Sequence, residues 1–340
     1  MSAFNPKLPT LIFTDAEPDD VAALGWLLPT LTSKVFVVVT EHSNLEEKAM
    51  VLEWALCELF LVDSLPQEIR LGCGSRSMVD VYAVPPRFCQ VNSVPPSVTV
   101  SDIANFVEAE GGSCNVFSLC PPRDLLLTVV AHPTVFSESS LYVYGSYNNR
   151  LLLSTGVTTK DRLLALYSSF QDVVLYETHF VLGANNAFCR EDFDKLDCQC
   201  RYVDGLQDIV LAWNQSILTE CAKCLDTAVM NRIEDSSIMD VEVTDPLFRD
   251  YKVWWSVKSN LQHNLLLADI GLVMFVVDPQ SVPQLVLQPV TVDFSPPNYY
   301  TTVTKAENSL IKLVAIGENR SAADVRRRMV QKFLEGPLIE

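Results

Sequence analysis

Apolar runs of strand length alternate with stretches of helical period through the first half of the chain. The first run, Leu11-Ile12-Phe13-Thr14, stops at Asp15, and after a short turn Asp19-Asp20 opens an apolar helix through Val21-Ala22-Ala23-Leu24. Further strands are expected at residues 35–40, 69–72, 115–119 and 140–144, with helices at 45–61, 101–109 and 124–131. Strand and helix taking turns in this way predicts an α/β fold, a mainly parallel central sheet flanked by helices. The second half is less regular. It reads as a strand at 172–182, a mostly helical stretch at 206–232, and a helix within 260–277 that ends near Val276-Val277-Asp278-Pro279. Strands at 288–294 and 310–316 follow, then a closing helix at 321–334 entered at Ser321 with Asp324 behind it. Proline pairs at Pro85-Pro86, Pro95-Pro96, Pro121-Pro122 and Pro296-Pro297 mark loops, and no shift of composition divides the chain. A single domain over residues 1–340 is expected.

Composition narrows the partners. Of the 340 residues 49% are hydrophobic and 20% charged, as in a folded globular chain. A net charge of -17 argues against nucleic acid as a partner, since phosphate contacts need clustered Lys and Arg. The run Arg326-Arg327-Arg328 falls in the closing helix and reads as a solvated face. No stretch approaches the roughly 18 uncharged apolar residues of a membrane span. The polar segment before Leu11 has no signal-peptide pattern, and the 10 cysteines are most simply reduced thiols, so a cytoplasmic location is expected.

Three constellations carry candidate chemistry. Asp15, Glu17, Asp19 and Asp20 crowd the carboxyl end of the first strand, where open α/β sheets place their ligands. Such oxygen donors suit a hard cation, although Asp19 and Asp20 also fit the positive end of a helix. Trp254-Trp255, with Tyr251, offers an aromatic face that could stack a nucleobase or simply fill the core. Cys198-Gln199-Cys200 and Cys221-Ala222-Lys223-Cys224 superficially suggest zinc, against the plainer reading of four thiols. His42, His132 and His179 show no ligand spacing with them.

The acidic run Asp15-Ala16-Glu17-Pro18-Asp19-Asp20-Val21-Ala22 resembles the Asp-x-x-x-Asp-Asp opening of the inosine-uridine-preferring nucleoside hydrolases, the calcium-dependent N-ribohydrolases. Ser43-Asn44-Leu45 is similar to that family's Gly-Asn-Val element, and Cys120-Pro121-Pro122-Arg123-Asp124 to its Gly-Pro-Leu-Thr-Asn turn. Ala268-Asp269-Ile270-Gly271-Leu272, with Asp278-Pro279 after it, stands where the family has His-Asp-Pro-Leu and a following Asp-Pro.

The resemblance implies hydrolysis of the N-glycosidic bond of a ribonucleoside, as in purine and pyrimidine salvage. It implies calcium held by Asp15, Asp20, Asp269 and the backbone carbonyl of Arg123, with Asp15 also the general base. It implies Asp19 and Asn44 on the ribose hydroxyls, leaves Asn148 or Asn149 and Trp254 as further substrate contacts, and implies a homo-oligomer. Two departures stand out. The family's histidine is Ala268, and the Ala-Glu-Phe-Asn element that grips the ribose falls near Ser168-Ser169-Phe170-Gln171, without its glutamate. His263 lies five residues before Ala268, on a different helical face. A binding or structural module that keeps the ribose and cation pocket is the alternative reading. Base preference is not legible from the sequence.

Overall fold

Strand β1, Thr10–Thr14, is buried along its whole length, because three large apolar residues stand between threonines that its neighbours cover. It pairs in parallel with β2, Val35–Val39, placing Ile12 opposite Val37. Strand β3, Ile69–Cys73, continues the sheet beyond β2. On its other side β1 pairs with β4, Asn115–Ser118, followed by β5, Ser140–Tyr144, and β6, Asp172–Tyr176, all parallel. A separate two-residue ladder joins β7, Ala187–Phe188, to β8, Leu265–Leu266. Beyond β6 the sheet takes in β9, Leu285–Ser295, β10, Tyr300–Lys305, and β11, Ile311–Ile316. Strand β11 runs parallel to β6, whereas β9 and β10 form an antiparallel border. The nine strands lie in the order β10-β9-β11-β6-β5-β4-β1-β2-β3. Chain order reverses between β1 and β4, which makes the crevice at their carboxyl ends the topological switch point of the sheet.

This computed structural model describes residues 4–41, 44–59, 68–76, 95–145, 149, 152–153, 156–182, 187–188, 206, 265–266, 268–295 and 300–335. Its helices are α1, Pro18–Leu27, α2, Leu45–Trp54, α3, Val100–Ala109, α4, Arg123–Ala131, and α5, Lys160–Ser168. A short helix, Thr178–Val181, precedes α6, Ala268–Val277, and α7, Ala322–Glu335. Alternate side chains of the strands go to opposite faces. Ile12, Val37 and Tyr176 join a core with α1, α6 and α7, while Leu11, Phe13 and Val38 join one with Ile103, Leu125 and Leu163 of α3, α4 and α5. Helix α6 is apolar on every side and buried from Ala268 to Val276, as a helix packed on all faces must be. It lies against α1.

The expected α/β architecture and most strand positions match. Several elements differ. Residues 172–182 do not form one strand: β6 ends at Tyr176, the buried Glu177 follows, and the chain turns into the short helix. The expected helix at 45–61 is α-helical to Trp54 and widens into a π-helical turn over Ala55–Leu59. Helix α5, capped by Thr159 accepting from the Arg162 N–H, and the edge strand β10 were not expected. The helix expected at 206–232 lies outside the described residues apart from Leu206.

One close approach ties α6 to the sheet. A Cβ on Gly271 would lie 2.2 Å from the Tyr176 hydroxyl oxygen, so only glycine lets the last residue of β6 seat under α6. Gly271→Ala is therefore expected to lower unfolding free energy by about 1–3 kcal/mol, the usual cost of overpacking a tight core. Urea denaturation checks it, and the added Tyr176→Phe change should return part of the loss by removing the clashing oxygen.

Candidate functional site

The turn leaving β1 is held by its own side chains. The Thr14 hydroxyl donates to Asp20 Oδ1 at 2.5 Å and accepts from the Ala16 N–H at 3.0 Å. Ala16 takes a left-handed backbone, φ +52, a conformation that costs a non-glycine residue on the order of 1 kcal/mol. Helix α1 then starts after Glu17 without a side-chain cap, so Asp19 and Asp20 occupy its first turn rather than capping it. Both lie at the helix's positive end, which favours their ionised forms.

Asp269, the second residue of α6, meets them from 249 residues further along the chain than Asp20. One carboxylate oxygen each from Asp19, Asp20 and Asp269 lies within 4.8 Å of the others, and all three residues are buried. Asp15, partly exposed, stands within hydrogen-bonding reach of Asp20, and Asp19 of Asp269. Carboxyl groups packed so closely cannot all be ionised unless a cation lies between them. Burial, reinforced by the neighbouring acids, pushes Asp19 up to about 8 and Asp20 up to about 7, and raises Asp15 and Asp269 well above the ordinary carboxylate range. Lys48 pulls Asp15 back down. Asp269 Oδ1 is buried with no hydrogen-bond partner among the described residues. Oxygen-only donors with an orphaned, inward-facing oxygen fit a hard divalent ion.

The rim around this cluster contains more acid than the sequence pattern singled out. Asp124, one residue into α4, accepts from the hydroxyls of Thr40 and Ser75 and from the Ser75 N–H at 2.7 Å. It thereby ties the chain ends after β2 and β3 to the start of α4. A Cβ on Gly74 would collide with Asp124 Oδ2 at 2.2 Å, so the glycine makes room for that brace. Arg123, which opens α4, sends Nη1 to the Arg76 carbonyl at 3.2 Å and places Nε 4.0 Å from Glu41 Oε1. Glu41, left-handed at φ +63, is pushed up to about 7 by burial, with Arg123 opposing and Asp124 adding to the rise. Cys120 lies among Asp15, Asp20, Glu41 and Asp124, and burial with these acids raises its thiol, which keeps it un-ionised. Glu177 stands at the carboxyl end of β6 and is pushed up to about 8 by burial, with the Thr301 hydroxyl opposing.

Of the expected site residues, Asp15, Asp19, Asp20 and Asp269 come together. Asn44, at the start of α2, and Arg123 lie at the same carboxyl edge, and the Asn44 side chain does not cap its helix. Asn149 is buried and donates to the Tyr167 hydroxyl at 2.6 Å, an internal brace rather than an open contact. Asn148, Tyr251, Trp254, Trp255, His263 and the cysteines at 198, 200, 221 and 224 lie outside the described residues. The ribose grip placed near Ser168-Ser169-Phe170-Gln171 is corrected. That segment precedes β6 and so sits at the amino edge of the parallel sheet, opposite the acidic cluster, with Phe170 stacked on Phe136 in the core. Glu41 and Glu177 were missed, although both follow an apolar strand as Asp15 does. Glu177 was hidden because the strand was read through it.

No protein-family model and no curated protein matches the sequence. The structure nevertheless matches known folds along almost its whole length. A plant nucleoside hydrolase aligns at a TM-score of 0.59 and 12% identity, covering 96% of this chain and 100% of that one. A purine-preferring ribonucleoside hydrolase from Gardnerella vaginalis aligns at 0.56 and 12%, covering 96% and 99%. The type III effector protein XopQ complexed with adenosine diphosphate ribose aligns at 0.56 and 14%, covering 98% and 93%. The chain has the nucleoside hydrolase fold.

The acidic cluster predicts an unusual pH dependence. Asp19, Asp20, Glu41 and Glu177 hold protons in the folded protein to about 7 or 8, against ordinary values of 3.8 and 4.5. Between those limits the folded state binds more protons than the unfolded chain, so stability without a cation falls as pH rises. In the presence of a chelator, Tm is expected to drop by about 5 °C or more from mildly acidic to mildly alkaline pH. A Tm that rises across that window contradicts the assignment.

Proposed function

We propose that the chain is a calcium-dependent hydrolase of ribonucleosides, acting as one domain to split the N-glycosidic bond into free base and ribose. The observation that carries this reading is the convergence of Asp19, Asp20 and Asp269, buried and within 4.8 Å, at the switch point of a nucleoside hydrolase fold. Asp15, Asp20, Asp269 and the Arg123 carbonyl would hold the ion, and Asp19 and Asn44 the ribose hydroxyls. A calcium ion held there would supply positive charge that makes a nearby water lose its proton more readily. Asp15 would take a proton from the attacking water as that oxygen bonds to C1′ and the C1′–N bond breaks, its electron pair leaving with the base. The surrounding carboxylates offset the positive charge that develops on the ribose.

Ala268 supplies no proton to the departing base, where similar enzymes have a histidine. Leaving-group quality should therefore dominate the rate. Incubating the protein with calcium and following ribose release should show p-nitrophenyl riboside cleaved far faster than inosine or uridine. Asp15→Asn should reduce turnover by about 10²-fold or more. Absence of release from every substrate, with no calcium bound, defeats the reading.

Ala268 also favours a second reading, a ribose-binding module that no longer cuts. The effector complexed with adenosine diphosphate ribose supports it, since the same fold there carries a ribose-containing ligand. Thermal protection by ribose and calcium without turnover of any riboside would select this alternative.

A further inference from the structure

We propose that Lys48 is a tethered cation of the acidic site, a fixed positive charge beside Asp15 that competes with a divalent ion for the same carboxylates. The inference rests on the cation-site reading above and goes beyond it, because it concerns how tightly the ion is held.

Lys48 lies one turn into α2, its N–H donating to the Asn44 carbonyl at 3.0 Å. Its side chain is 0% exposed and its ammonium nitrogen is cut off from solvent. Burying an ammonium is so costly that a buried lysine is expected to face anions. The fold supplies them. Helix α2 begins just past the carboxyl end of β2, where the Thr40 N–H donates to the Thr14 carbonyl at 2.9 Å, one residue before Asp15. The ammonium's charge opposes the rise that burial and Asp20 impose on Asp15.

The other charges around this space come from the turn before α1, with Glu17, from α1, with Asp19 and Asp20, from α6, with Asp269, from just past the end of β2, with Glu41, and from the first turn of α4, with Asp124. Arg123 is directed at Glu41 instead. Lys48 thus supplies positive charge on the Asp15 side of an otherwise acidic cavity. A dication arriving there is attracted by the carboxylates and repelled by the ammonium, and in a buried site that repulsion is weakly screened. The same charge offsets part of the carboxylate repulsion when no ion is bound.

Calorimetric titration of the full chain with calcium at neutral pH tests this. Lys48→Met is expected to bind calcium about tenfold or more tightly than the parent, and Lys48→Arg, which keeps the charge, within about threefold of it. Affinity for Lys48→Met that is equal or weaker overturns the proposal, as does Lys48→Arg binding as tightly as Lys48→Met. Should Lys48→Met be too unstable to titrate, the rise of its Tm on adding millimolar calcium is the readout. A rise larger than the parent's supports the proposal, and an equal or smaller rise overturns it. If parent and variant bind calcium alike, only the role of Lys48 fails. If neither binds it, the cation site fails as well.

Discussion

Mutual repulsion among buried carboxylates is the constraint around which this molecule is organised. Three buried aspartates, two from the first turn of the first helix and one from a helix near the other end of the chain, meet within 4.8 Å, with the partly exposed Asp15 beside Asp20. Left to themselves they stay folded only by retaining protons or by borrowing positive charge, and both appear here: raised proton affinities throughout the cluster and an interior lysine beside Asp15. Every surrounding device serves to keep these groups in place. Thr14 orients Asp20, the left-handed Ala16 tightens the turn, and Gly271 lets α6 sit close enough to bring Asp269 in.

The fold explains why that crevice lies where it does. With chain order reversing between β1 and β4, the loops after those strands diverge to opposite faces and open a gap at the carboxyl edge. The first loop contributes Asp15, Asp19 and Asp20, and the second leads to Arg123 and Asp124. On the proposed reading, the site would be strong where charge must be held and weak where a departing base needs a proton, because Ala268 has no acid to give. The chemistry expected of the site follows from that imbalance.

Much of this was legible in the sequence, for identifiable reasons. Asp15 follows an uninterrupted apolar strand, and Asp19-Asp20 follow the turn, so short-range pattern alone located the strand end. Joining Asp269 to them needed the resemblance to a known family, because nothing local marks a lone aspartate 249 residues beyond Asp20 as a neighbour. Glu177 went unread because Val173–Tyr176 before it and Phe180–Leu182 after it are both apolar, and an acid between two apolar runs resembles a strand interior. Chain order aligned the family's ribose-gripping element with 168–171, which lacks its glutamate, and strand direction puts that segment on the far edge of the sheet. Strand β10 escaped because its threonines are β-branched yet polar, so the usual apolar alternation is faint.

A divalent ion entering this cluster is expected to displace protons from its carboxyl groups. Calcium titrations in two buffers of different ionisation heat measure that exchange directly. One ion per chain is expected, with net release of about one proton or more at neutral pH as the raised carboxyls ionise around it. Binding with no proton release, or no binding at all, would contradict it.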